Sequence, residues 1–143
     1  MATITIPRRK SVPARLAAMA AMPALQQVET IRKGIPAAVF DQVAGILGIG
    51  KESLAHKLGI NAQTLRKRKS QVLSPDEAEK SLRVTRMFIA ASEVLGSDDE
   101  ARHWMGEAVM ALGGKRPVDL LDTDVGAQEV ANILNCIKWG VYA

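Results

Sequence analysis

Aromatic residues are scarce in this 143-residue chain, where two Trp, one Tyr and two Phe amount to 3%. Ala, Leu, Ile, Val and Met carry the rest of a 48% hydrophobic composition, a mix that favours helices over sheets. An all-α fold is expected. Cysteine occurs once, at Cys136, which excludes an internal disulfide and a cysteine metal cluster and points to a reducing compartment, with the cytoplasm as the expected location. No apolar run approaches the ~20 residues of a membrane span, because Arg15 and Pro23 interrupt the Ala/Met-rich stretch near the start. That stretch, preceded by Arg8, Arg9 and Lys10, has the composition of a targeting peptide. A loosely ordered basic arm over residues 1–23 is the simpler expectation.

Catalytic patterns are missing as well. Gly113-Gly114-Lys115 lacks the preceding glycine and the following Ser/Thr of a phosphate loop, and no metal-ligand spacing occurs. Cys136 with His103 could form a nucleophile pair, but a structural Cys136 on an apolar helix is the plainer reading. No enzymatic activity and no cofactor are expected.

Acid is absent before Glu29, and the imbalance continues. Residues 1–72 hold 12 Lys/Arg against 3 Asp/Glu, a net +9, while residues 73–143 hold 7 against 12, a net −5, leaving +4 overall. Charge segregated in this way suits a first half that faces a polyanion and a second that faces another protein.

Proline and glycine divide the first half into short helical pieces. Pro13, Pro23 and Pro36 stand at first-turn positions, and Gly34, Gly48 and Gly59 stand where helices should stop. From Pro36, the residues Val39, Phe40, Val43, Ile46 and Leu47 form one apolar stripe. Ser74, Pro75 and Glu77 make a capping box that opens a long helix carrying Val84, Phe88, Ala91 and Leu95. Ser97, followed by Asp98, Asp99 and Glu100, starts another helix, which carries Trp104 and Met105 inward. The Gly113-Gly114 pair and Pro117 predict a compact turn before an apolar step at Leu120-Leu121. A final helix with Val130, Ile133, Leu134 and Ile137 on one face ends at Gly140. The expected division is therefore an arm, a reading unit over residues 24–73 and a second unit over residues 74–143.

Residues 52–70, ESLAHKLGINAQTLRKRKS, fit a helix-turn-helix. Ala55 is small where two helices must approach, Gly59 sits where the turn needs a positive φ, Asn61 caps the second helix, and Leu65 anchors it. Arg68 stands where an apolar residue is more usual. Gln63, Arg66, Lys67 and Ser70 share the stripe opposite Leu65. Gln63 suits an adenine edge and Arg66 a guanine edge, Lys67 and Lys69 suit phosphates, and Asn61 and Thr64 complete the candidate DNA-contacting set. The competing reading is that this basic run is only a solvated face. Stacking aromatics are absent from the region, which disfavours single strands and RNA and leaves double-stranded DNA.

The segment ALGGKRPVDLLDT, then GAQEV, then the terminal GVYA, together with TLRKRK and the SPDEAEKSLRVTRM helix start, resembles the Xre/MbcA/ParS antitoxin family over about residues 35–143. The resemblance implies a Cro-like helix-turn-helix followed by a helical toxin-binding domain. It further implies a type II antitoxin that blocks a RES-domain toxin, an enzyme that degrades NAD or transfers ADP-ribose from it, and that represses its own operon. Carried onto this chain, the toxin contact would comprise Leu120, Leu121, Thr123, Gly126, Val130, Gly140, Val141, Tyr142 and Ala143. Where relatives have a Pro-Asn pair before the Gly-Gly turn, this chain has GEAVM, for which a helical course is expected. Two-fold operators and extended apolar helices point to a homodimer. The alternative is a stand-alone transcription regulator whose acidic half dimerises or binds an effector, with Trp139, Val141 and Tyr142 covering a helix end or a dimer seam.

Overall fold

The computed structural model describes residues 12–67 and 71–140. Its elements are helical: α1 (Ala14–Ala21), α2 (Ala24–Lys33), α3 (Ala38–Leu47), α4 (Lys51–Lys57), α5 (Ala62–Lys67), α6 (Pro75–Leu95), α7 (Asp98–Met105) and α8 (Asp124–Trp139). Two short 3-10 turns, Met110–Leu112 and Pro117–Leu120, lie between α7 and α8.

Helix α6 is the spine. Its 21 residues rise about 31 Å, and it packs against α1, α2 and α3 from the first half and α7 and α8 from the second. The expected capping box is present. Ser74 Oγ accepts from the Glu77 amide at 3.2 Å, Glu77 Oε1 accepts from the Ser74 amide at 2.7 Å, and Pro75 occupies the first turn. Val84, Phe88 and Ala91 are buried as predicted, whereas Leu95 is half-buried in the last turn, which Gly96 closes. Packing from several directions also buries Ser81 and Thr85. Their hydroxyls are satisfied inside the helix, donating to the Glu77 carbonyl at 2.7 Å and the Ser81 carbonyl at 2.9 Å.

The loosely ordered arm expected over residues 1–23 is corrected for residues 14–21, which form α1. Leu16 is fully buried and Met19 nearly so, and this apolar stripe against α6 outweighs the basic composition that suggested an arm. Residues 1–11 lie outside the described residues. Gln27 fixes the corner between α1 and α2: its Nε2 donates to the carbonyls of Met19, Ala20 and Met22 at 2.9–3.2 Å, and its Oε1 accepts from Arg86 at 2.7 Å.

The stripe on α3 is fully realised, with Val39, Phe40, Val43, Ile46 and Leu47 all buried. One hydrophobic cluster runs from Leu16 in α1 to Leu134 in α8. The charge is thus divided between the halves, while the core is shared. The chain entering and leaving the α3–α5 unit is strapped together: Leu73 donates to the Ile35 carbonyl at 2.7 Å and Ala37 to the Gln71 carbonyl at 2.9 Å, around an antiparallel bridge between Pro36 and Val72.

Beyond α6, Ser97 Oγ caps α7 by accepting from the Glu100 amide at 3.1 Å. Met105 is buried and Trp104 half-buried. The helical course expected for GEAVM is corrected, because residues 106–109 form a turn and an antiparallel bridge pairs Val109 with Lys115. Gly113 and Gly114, with φ of 70° and 77°, close this loop in a conformation that side-chain-bearing residues avoid.

Candidate functional site

The helix-turn-helix is built from α4 and α5. Leu54, Ala55, Leu58 and Leu65 are buried where the two helices join the core, and Gly59 adopts a φ of 69° in the turn. Asn61 Oδ1 accepts from the amides of Gln63 at 2.9 Å and Thr64 at 3.2 Å, so it starts α5 as a cap. That duty occupies the Asn61 side chain and leaves the rest of α5 to present its outer face. Gln63, Arg66 and Lys67 are exposed there, opposite Leu65, and Thr64 is half-buried. Arg68, Lys69 and Ser70 lie outside the described residues.

One feature of this face was not read from the sequence. Arg66 Nη2 lies 3.5 Å from Glu52 Oε1, with both side chains more than half exposed. An ion pair in water of this kind is weak and easily exchanged, so Arg66 is held loosely and remains available to another anion. Spacing alone gives no sign of it, since the two residues meet only once α4 and α5 are folded against each other.

The second group of candidate residues divides. Leu121 and Val130, both expected at or near a partner contact, are fully buried core residues in the chain alone. Leu120 is half-buried. Thr123 is exposed and caps α8, its Oγ1 accepting from the Gly126 amide at 3.0 Å. Gly126 is where helix and turn touch, since a Cβ there would collide with the Leu120 carbonyl oxygen. Gly140 is exposed and ends α8 in the left-handed conformation with φ 66°. Val141, Tyr142 and Ala143 lie outside the described residues.

The two groups are physically joined. Lys57 at the end of α4 pairs with Asp119 in the second 3-10 turn at 2.7 Å. Lys80 Nζ donates to the Leu58 carbonyl at 2.9 Å, and Arg102 Nε to the Ile46 carbonyl at 2.9 Å. Arg83, nearly buried on α6, donates to the Leu121 carbonyl at 3.0 Å and pairs with Glu79 at 2.9 Å. Nothing local in the sequence marks these basic side chains as ties, because their role depends on partners up to 62 residues away. Among the described residues, no group of His, Cys, Asp and Glu could hold a metal ion, and no helix is long and apolar enough to cross a membrane.

Comparison with known proteins fits this division. A model of the antitoxin Xre-like helix-turn-helix domain matches residues 26–86, and a model of the antitoxin Xre/MbcA/ParS C-terminal toxin-binding domain matches residues 90–140. The two matches meet inside α6. The chain is 29% identical over 119 residues to an Antitoxin Xre of Yersinia enterocolitica, covering 81% of this chain and 80% of that protein. It is 27% identical over 114 residues to an Antitoxin Xre of Photorhabdus laumondii, covering 78% and 77%. It is 24% identical over 130 residues to a Prs ADP-ribosylating antitoxin of a Sphingobium species, covering 83% and 82%. These relatives carry the names of antitoxins, a non-enzymatic role. With an Xre-like helix-turn-helix domain over residues 26–86 and the C-terminal domain over residues 90–140, this chain belongs to the Xre/MbcA/ParS antitoxin family.

Proposed function

We propose that this chain neutralises a RES-domain toxin, one that degrades NAD or transfers ADP-ribose from it, by blocking the toxin's active site with its C-terminal region. In the same reading it represses its own operon in the cytoplasm by binding double-stranded operator DNA as a homodimer. The observation that carries the proposal is the match of residues 90–140 to a toxin-binding domain, in the same chain as an α5 whose exposed face bears Gln63, Arg66 and Lys67. The name of the Sphingobium relative links that protein to ADP-ribosylation, which supports a toxin of this chemistry. The net −5 of residues 73–143 supplies electrostatic complementarity to a cleft built to attract an anionic dinucleotide, favouring fast and selective association.

On the toxin side the contact comprises Leu120, Thr123 and Gly126 around the start of α8 and the tail Gly140, Val141, Tyr142 and Ala143 beyond its end, while Leu121 and Val130 support it from the core. Tyr142 suits a cleft because it buries a large area with few rotors and keeps a polar partner for its hydroxyl. On the DNA side, Gln63 and Arg66 read base edges, Lys67 and Lys69 neutralise phosphates, Ser70 extends the stripe, and Asn61 and Thr64 set the start of the helix.

Co-expression with a cognate RES-domain toxin tests the proposal. A chain lacking Gly140–Ala143 should bind operator DNA normally yet protect cells poorly, and NAD consumption by the purified toxin should fall when the full chain is added. Equal protection by the shortened chain would remove the tail from the mechanism, and an unaffected toxin would remove the neutralising role.

A further inference from the structure

Helix α8 has a second face that the core does not use. Ala127, Val130 and Leu134 turn towards the core. Diametrically opposite, Val125, Glu129, Asn132, Cys136 and Trp139 follow one another at spacings of four, three, four and three residues, which places them on a single stripe. Val125 is 76% exposed and Trp139 is 73% exposed, at the two ends of a strip about 21 Å long. Between them only Glu129 is charged. An outer helix face normally carries several charges, as the same side of α2 does with Glu29, Arg32 and Lys33. A strip poor in charge with an exposed tryptophan has instead the make-up of the centre of a protein interface. Lys138 lies over the Trp139 ring, 5.4 Å from its centroid, a contact that steadies the indole in its outward position.

We infer that the outer face of α8 is the docking surface for the toxin, with Trp139 as its anchor and Asn132 supplying hydrogen bonds at its centre. The strip falls wholly within residues 90–140, the span matched to a toxin-binding domain, and the inference rests on the neutralising role proposed above. The toxin presents an apolar pocket to the indole. Docking along α8 brings its Gly140 end against the same partner, so the strip holds the complex while the tail blocks the cleft.

Half-buried Cys136, the single cysteine of the chain, lies in this strip and reports on its coverage. The chain, alone and in complex with a cognate RES-domain toxin, is treated with a maleimide, and modification of Cys136 is followed by mass. Modification should slow at least tenfold in the complex. Trp139→Ala should weaken toxin binding at least tenfold with an unchanged thermal midpoint, since the side chain is exposed, while Leu25→Ala on α2, a still more exposed apolar residue, should leave binding unchanged. A complex that forms normally but leaves Cys136 as reactive as in the free chain would overturn the docking face and leave the neutralising role standing, and undiminished binding by Trp139→Ala would overturn the anchor. Absence of any complex would instead remove the neutralising role itself. Concentration-dependent protection of Cys136 in the chain alone would make the strip a seam between two copies and overturn the inference.

Discussion

Lys57 Nζ sits 2.7 Å from Asp119 Oδ1, joining the first helix of the helix-turn-helix to the turn that leads into α8. The Lys57 side chain is 20% exposed and that of Asp119 41%, so solvent screens the pair in part. A double-mutant cycle with Lys57→Met and Asp119→Asn, read by urea unfolding, should give a coupling of about 0.2–1 kcal/mol. A coupling indistinguishable from zero would make the pair a contact without energetic weight.

The shared core predicts cooperative unfolding. Leu121→Ala removes a fully buried side chain and should cost about 2–5 kcal/mol. Although Leu121 lies in the second half, operator binding and the tryptophan signal should be lost at the same, lowered urea concentration. Two separate transitions would show that the halves fold independently.

Gly126→Ala should destabilise the chain by about 1–3 kcal/mol, the range for forcing extra volume into a packed site. Its new methyl group would meet the Leu120 carbonyl and disturb the amide that Thr123 caps. Thr123→Ala, which removes only the cap, should cost about 1 kcal/mol. Denaturant midpoints of the two variants, compared with the parent, separate the contributions. A neutral Gly126→Ala would mean that the turn yields to the methyl group.

On the DNA side, Arg66→Ala should cost about 1–3 kcal/mol at its cognate base, and Lys67→Ala should reduce the salt dependence of binding by about one unit. Glu52→Gln should strengthen operator binding, because it removes the carboxylate that lies 3.5 Å from Arg66 in the free chain. Fluorescence titrations across a salt series check all three, and unchanged affinity for Arg66→Ala would dismiss the recognition stripe.

The sequence carried its local signals well and its long-range ones poorly. Ser74 and Ser97 were legible as caps because a cap acts within three residues, and Val39, Phe40 and Val43 declared their common face through the helical repeat. The all-helical class followed from composition, and the family from the block between Ala111 and Thr123. What could not be read was which basic residues act as internal ties. Arg83 and Arg102 look like ordinary surface charge until the carbonyls of Leu121 and Ile46 come within reach. Leu121 was placed at a partner contact with the Gly-Gly-to-Thr123 block and Val130 with the GAQEV segment, and nothing local to either shows that both sit in the core. For α1, basic composition was the wrong guide, since a few apolar residues at the right repeat suffice to dock a short helix.

The strap between residues 35–37 and 71–73 has a consequence for how an operator is measured. Both ends of the α3–α5 unit are pinned to each other and, through Leu73, to the start of α6, so its tilt is set by the folded body. In a dimer, the gap between the two reading heads would then act as a fixed ruler. Operators whose half-sites are moved by even one or two base pairs should be poor ligands, because the protein has no slack with which to follow them.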